Sequence, residues 1–182
     1  MRRIDCFIPY YNDGQSSVTT ANLSAENEVS KVVPIDGATF KSTKAMRLIA
    51  SEAEAPFVMI YTKPTDLRFG KYALERFLSV ADDTAAAMVY SDHIKEIAGE
   101  RVFSPVIDCQ MGALRDDFDF GSVMIFRKEA LKEAVARMDV DYEYAGLYDL
   151  RLKVSQKGSL VHVSEYLYYE IETDTRKSGE KL

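Results

Sequence analysis

The sequence predicts an α/β domain with a mostly parallel central sheet flanked by helices, and three observations predict it. Short apolar runs alternate with segments of helical periodicity along nearly the whole chain. The first two apolar runs each end in a polar turn and are joined by a segment long enough for a crossover helix, which reads as β-α-β with parallel strands. No internal repeat or low-complexity linker interrupts the 182 residues, a length that suits one domain.

The first strand carries Ile4, Cys6 and Ile8 into Pro9-Tyr10-Tyr11-Asn12-Asp13, and the second, Val32-Val33-Pro34-Ile35, delivers Asp36-Gly37. Gln15 to Asn27 supplies the crossover. Ligands of open α/β sheets bind beyond the carboxyl ends of the strands. Tyr10, Tyr11, Asn12 and Asp36 therefore meet at one edge, with stacking faces and hydrogen-bonding groups suited to a nucleotide.

Ser42 to Ala55 places Ala45, Met46, Ile49, Ala50 and Ala53 at helical spacing, with Ser42 as N-cap. Phe57 to Tyr61 is a continuous apolar strand that Pro64 ends, and Phe69 to Ala81 returns to helical periodicity. Ala86 to Tyr90 is the next strand, closed by Ser91-Asp92-His93. Residues 94–105 read as a hairpin turning at Ala98-Gly99. Phe120 to Phe126 is a strand followed by an amphipathic helix from Lys128 to Met138. Tyr144 to Ser155 is a helix that Lys157-Gly158 stops. Leu160 through Ile171 is the last strand, and the tail from Glu172 to Leu182 is polar and expected to fray.

Bulk properties narrow the function. Hydrophobic residues make up 47% and charged residues 29%, as in ordinary globular proteins. A formal charge of −6 without a Lys/Arg cluster argues against nucleic acid or anionic lipid as partner. A nucleotide-sized anion needs only local N–H groups and one or two cations. Cys6 and Cys109 show no CxxC pattern and no histidine at metal spacing, which predicts a reduced pair. Met1-Arg2-Arg3 is followed too soon by Asp5 for a signal peptide or a spanning helix. A cytosolic (cytoplasmic) protein is expected.

Several motifs resemble those of one family. Ile8-Pro9-Tyr10-Tyr11-Asn12 resembles the opening motif of family 2 glycosyltransferases of the GT-A fold. Val33-Pro34-Ile35-Asp36-Gly37 resembles the strand end that places an aspartate near the nucleotide base. Val89-Tyr90-Ser91-Asp92, then Phe118-Asp119-Phe120-Gly121 with Phe126-Arg127-Lys128, and finally Tyr148-Asp149-Leu150-Arg151-Leu152 with Gly158 follow in the family's order. The resemblance implies a GT-A-like domain, a nucleotide-diphosphate-sugar donor, a saccharide or surface-polymer acceptor and inverting transfer. It also implies a divalent metal, Mg or Mn, on the departing diphosphate and a carboxylate base for the acceptor hydroxyl.

The sequence departs from that pattern in three places. Where the family shows Asp-x-Asp, this chain reads Tyr61-Thr62-Lys63-Pro64, a poor ligand set for a hard cation. Lys63 is either a solvated strand-end lysine or a direct phosphate contact. Where the family shows Glu-Asp, this chain has Gly146-Leu147, so Asp149 is the nearest candidate base, with a salt bridge to Arg151 or Lys153 as its rival role. The stretch from Asp36 to Ser42 is short, as though a strand-loop unit were missing, and the chain stops soon after its last strand, as a fragment or a reduced core would.

Other residues carry paired readings. Asp117 and Asp119, alternating in a strand, would form a metal pair with His162 as third ligand. The rival readings are a solvated acidic turn with Asp116, and a hydrogen-bonded sheet histidine. Asp119-Phe120-Gly121 also spells a kinase triplet, without any other kinase motif. Asp92 and His93 are a chelating pair or a strand-end cap. Tyr166, Tyr168 and Tyr169 are a sugar-stacking wall or core. Pro9, Tyr10, Tyr11, Asn12, Asp36 and Lys63 are the expected nucleotide contacts. The expected function is sugar transfer. A non-catalytic nucleotide-sugar or glycan-binding module (a pseudoenzyme) is the alternative, and a core that binds nothing is the third.

Overall fold

The first strand, β1 (Ile4–Tyr10), pairs in parallel with β2 (Val29–Asp36) on one side and β3 (Phe57–Tyr61) on the other. The helix α1 (Gln15–Ser24) makes the crossover between β1 and β2. The computed structural model describes residues 2–12, 14–110, 114–115 and 117–172. Asp13, Asp116 and the tail beyond Glu172 lie outside them.

After β3 the chain adds β4 (Asp66–Phe69), α3 (Ala73–Thr84), β5 (Met88–Ile97), β6 (Glu100–Ser104), β7 (Val123–Arg127), α4 (Lys128–Ala136), α5 (Gly146–Ser155) and β8 (Leu160–Glu172), with α2 (Thr43–Glu52) lying between β2 and β3. The sheet order is β2-β1-β3-β7-β5-β8-β4, with β6 on β5. The sheet is mixed. β1, β2, β3, β5 and β8 run one way, whereas β7 opposes both β3 and β5, β6 opposes β5, and β4 opposes β8.

Strand alternation divides the core into two layers. Ile4, Cys6 and Ile8 of β1, with Phe57 and Met59 of β3, face Leu23 of α1 and Leu74, Phe77 and Leu78 of α3. Phe7, Val58 and Ile60 face the opposite way, toward Met46 and Ile49 of α2, Leu131 of α4 and Leu150 of α5. A buried Phe such as Phe77 contributes roughly 1.5–3 kcal/mol by leaving water. Ser42 caps α2 as its sequence predicts, its hydroxyl accepting the Ala45 N–H at 3.0 Å. Asp5, fully buried, accepts the Glu54 and Ala55 N–H groups at 2.7 and 2.8 Å and pins the end of α2 to β1. No helix among the described residues is long and apolar enough to cross a membrane.

Several boundaries differ from expectation. Ser91, Asp92 and His93 do not close a strand; they lie buried inside β5, which runs on to Ile97. Ser91 donates to the Asp92 carbonyl in its own strand, whereas Asp92 and His93 find partners in His162 and Glu170 of β8. The hairpin does turn at Ala98-Gly99, both with positive φ (52° and 81°), which matches the twist of its strands. Asp66–Phe69 forms a short strand instead of loop and helix start, and α3 begins only after Tyr72. Strand β7 starts at Val123 rather than Phe120, because Gly121, at φ +74°, turns the chain first.

Candidate functional site

The ends of β1 and β2 meet as expected. Tyr10 pairs with Asp36 in register, and the Gly37 N–H donates to the Tyr10 carbonyl at 2.8 Å. The Asp36 carboxylate accepts the Ala38 N–H at 3.1 Å, which closes a turn around the strand end. Tyr10 is 48% exposed and Asn12 is exposed, whereas Pro9 is buried in the strand and can only shape the edge. Tyr11 lies flat against Gly37. A Cβ there would come within 2.3 Å of its ring, so a side chain at this position would push Tyr11 aside.

A cleft of about 770 Å³ opens between the ends of β3 and β7 and the first turn of α5, and none of Pro9, Tyr10, Tyr11, Asn12, Asp36 or Lys63 lines it. Thr62, Asp117, Asp119 and Gly121 line one side, and Tyr142, Tyr144, Tyr148, Asp149 and Arg151 the other. Tyr142 and Tyr144 also line a second cleft of about 530 Å³, with Ala38 and Thr39. The tyrosine wall is held by α2. Thr43 Oγ1 donates to the Val140 carbonyl at 2.9 Å and accepts the Tyr142 N–H at 3.0 Å. The N-termini of α2 and α5 touch backbone to backbone, since a Cβ on Gly146 would fall 2.3 Å from Ser42 C and Thr43 N.

Asp149, in the first turn of α5, is buried and receives Lys153 Nζ on Oδ1 at 2.7 Å. Its other oxygen, Oδ2, has no hydrogen-bond partner among the described residues. The Lys153 half of the expectation holds. Arg151 instead lies over the Phe120 ring, 5.1 Å from its centroid. Burial pulls its guanidinium below the ordinary range, an effect that Tyr148 and Asp119 oppose.

Behind the ends of β3 and β7 lies a polar network that the sequence did not announce. Lys63 Nζ donates to Glu170 Oε2 at 2.9 Å; the lysine side chain is 42% exposed and the glutamate side chain 4%. Ser122 Oγ donates to Glu170 Oε1, and His93 Nε2 stands 3.5 Å from the same oxygen. His93 stacks on Tyr168 at 5.0 Å, and the Tyr168 hydroxyl accepts the Ser122 N–H at 2.9 Å. Burial, only partly offset by Glu170, lowers the His93 pKa from its ordinary value. Its Nδ1 has no partner among the described residues. Lys63 is thus neither simply solvated nor unengaged. Glu170 was missed because its signal is slight: one carboxylate in a tyrosine-rich strand.

Solved structures share this architecture. S. aureus TarS 1–349 in complex with UDP-GlcNAc matches with a TM-score of 0.63 at 13% identity, covering 99% of this chain and 61% of that one. S. aureus TarS also gives 0.63 at 13% identity, over 94% and 37%. A197 from STIV gives 0.55 at 12% identity, over 89% and 82%. No family model and no curated protein matches the sequence. The chain spans about three-fifths of the length of TarS 1–349. The fold is GT-A-like.

A GT-A-like fold raises the question of a metal, and the expected ligands do not come together. Asp117 and Asp119 line the cleft from an irregular segment, not a strand. Asp117 Oδ1 lies 3.6 Å from Arg115 Nε, and Asp119 Oδ1 accepts the Gly121 N–H at 2.7 Å. His162 does not line the cleft; it stacks on Tyr90 with both ring nitrogens engaged, Nε2 at 2.7 Å from Asp92 and Nδ1 at 2.7 Å from Asp108. Neither nitrogen is left for a metal. Asp92 and His93 are no chelating pair, because Asp92 serves His162 and the Val106 N–H while His93 faces Glu170. Among the described residues, no three His, Cys, Asp or Glu side chains gather as a metal site. The tyrosine wall of β8 also dissolves: Tyr168 is core, Tyr166 packs on Phe103, and Tyr169 lies under Arg101.

Proposed function

We propose that this chain binds a nucleotide-diphosphate sugar and transfers the sugar to a saccharide or surface-polymer acceptor, as a cytosolic relative of family 2 glycosyltransferases. The observation that carries the reading is the cleft at the strand ends, with the unpartnered Oδ2 of buried Asp149 in its wall. The exposed Tyr10, with Asn12 and Asp36, offers a face and acceptors for the nucleoside, over an edge shaped by Pro9 and Tyr11. Asp149 is the candidate base. With one oxygen held by Lys153 and the other unpartnered, the carboxylate can take a proton from an acceptor hydroxyl within hydrogen-bond reach. TarS has been solved with UDP and with UDP-GlcNAc, which supports a nucleotide-sugar ligand for a chain of this fold.

A second reading, a binding module without turnover, is favoured by one observation. Backbone contact at Gly146 leaves no room for a side chain where the family's acidic pair begins. The two readings separate in one experiment: diphosphate release from UDP-, GDP- and dTDP-sugars with a panel of saccharide acceptors, for the wild type and Asp149→Asn. Transfer predicts release that falls about 100-fold or more in the variant while nucleotide binding persists. Binding without release supports the module. If no nucleotide binds the folded chain, both readings fail.

A further inference from the structure

We propose that the diphosphate end of this site is served by the Lys63 ammonium instead of a divalent ion, an inference that rests on the nucleotide-sugar reading above. Lys63 stands two residues after β3, where the family resemblance would place metal carboxylates, and its neighbour Thr62, though not Lys63 itself, lines the cleft. The ammonium is anchored from behind. Glu170 is buried, is fixed by the Ser122 hydroxyl, and takes one Lys63 hydrogen bond at 2.9 Å. An ammonium has three donors, so donors remain for a second anion, and the side chain is open enough to receive one.

The same arrangement opposes a metal. A divalent ion at this strand end would meet a resident cation, and the buried carboxylate that could hold it is already engaged. His93, kept neutral by burial, brings no further positive charge. Asp117 and Asp119 have Arg115 and the Gly121 N–H as neighbours. A diphosphate touching Lys63 lies closer to the ammonium than to Glu170 behind it, and the nearer charge dominates. Glu170 is a positioning residue here: it fixes where the cation stands.

The test is calorimetric binding of UDP, GDP and dTDP, and of their nucleosides, to the full chain, with EDTA and with millimolar Mn²⁺. We expect the diphosphate that binds to do so with equal affinity, within about twofold, in both conditions. Lys63→Met should weaken it about tenfold or more and Lys63→Arg far less, since a charged hydrogen bond is removed or kept. The nucleoside should bind all three proteins alike. Binding that Mn²⁺ tightens and Lys63→Met leaves unchanged would overturn the inference and leave the nucleotide reading standing. No binding of any nucleotide or nucleoside would overturn both. Should Lys63→Met fail to fold, the Lys63→Met/Glu170→Gln double variant, which removes both charges, makes the same comparison.

Discussion

The Lys63–Glu170 pair makes an asymmetric prediction about stability, because its members differ in burial. Lys63→Met leaves the Glu170 carboxylate, 4% exposed, with the Ser122 hydroxyl and a neutral histidine for company. Breaking a buried ion pair from one side costs about 3–5 kcal/mol. Lys63 is 42% exposed, so water can reach the vacated place, which lowers the expected cost to about 2–3 kcal/mol. Glu170→Gln keeps an acceptor for Ser122, and the freed ammonium is already near water, so its cost is about 1 kcal/mol. With both charges gone, the double variant should lose about 1–2 kcal/mol, well short of the sum of its parents. At about 2–4 °C per kcal/mol for a chain this long, Lys63→Met should melt about 4–12 °C early. The chain has no tryptophan, so urea unfolding followed by far-ultraviolet circular dichroism is the suitable assay. Equal costs for the two single variants, or strict additivity in the double, would refute the account of a half-exposed cation serving a buried anion.

Three further predictions rest on separate parts of the molecule. Gly146→Ala forces a Cβ into the Ser42–Thr43 backbone and should cost about 2 kcal/mol or more by urea unfolding; a cost below about 0.5 kcal/mol would show that α2 and α5 do not meet there. His162→Gln replaces a ring that bridges Asp92 and Asp108, and the hydrogen exchange of the nearby Cys109 N–H, which donates to Tyr90 at 2.8 Å, should quicken. Burial lowers the His93 pKa, so the unfolded chain binds a proton that the folded chain does not at pH values below about 6.5. His93 therefore takes stability away as pH falls through that window, by at most about 1.4 kcal/mol per unit, and His93→Gln should flatten the dependence between pH 7.5 and 5. An unchanged slope would mean that folding does not shift the ring's pKa, and a steeper one that folding raises it.

What could be read in the sequence follows from how local each signal is. Ser42 and the Ala45-Met46-Ile49 spacing specify α2 within one short stretch, and the cap and the buried face appear as expected. The strand ends at Tyr10 and Asp36 are local signals too, and parallel pairing brings them together. Asp149 and the two aspartates of 117–119 reach one cleft. Beyond shifted element boundaries, the failures at the site are polar residues taken at face value. Ser91-Asp92-His93 reads as a strand exit because polar triplets normally seek water. Here Asp92 meets His162, seventy residues later, and His93 meets Glu170. Lys63 likewise reads as solvated because its partner lies 107 residues away.

These misreadings share a physical cause, and it bears on the site. A polar side chain may enter a sheet only if the fold delivers its complement, and no local pattern records that delivery. A chain that had merely lost its metal carboxylates would be expected to put small or apolar residues at the emptied strand end, since an unmatched buried charge costs more than a methyl group. This chain instead carries an ammonium just after β3, a buried carboxylate on β8 and a hydroxyl just before β7, all converging at that point. Three complementary groups from three separate strand regions amount to a fixed charge beside an open cleft. Such an arrangement is more costly to keep than an apolar plug, which is the physical reason to look for a ligand anion at Lys63 before reading this strand end as a relic.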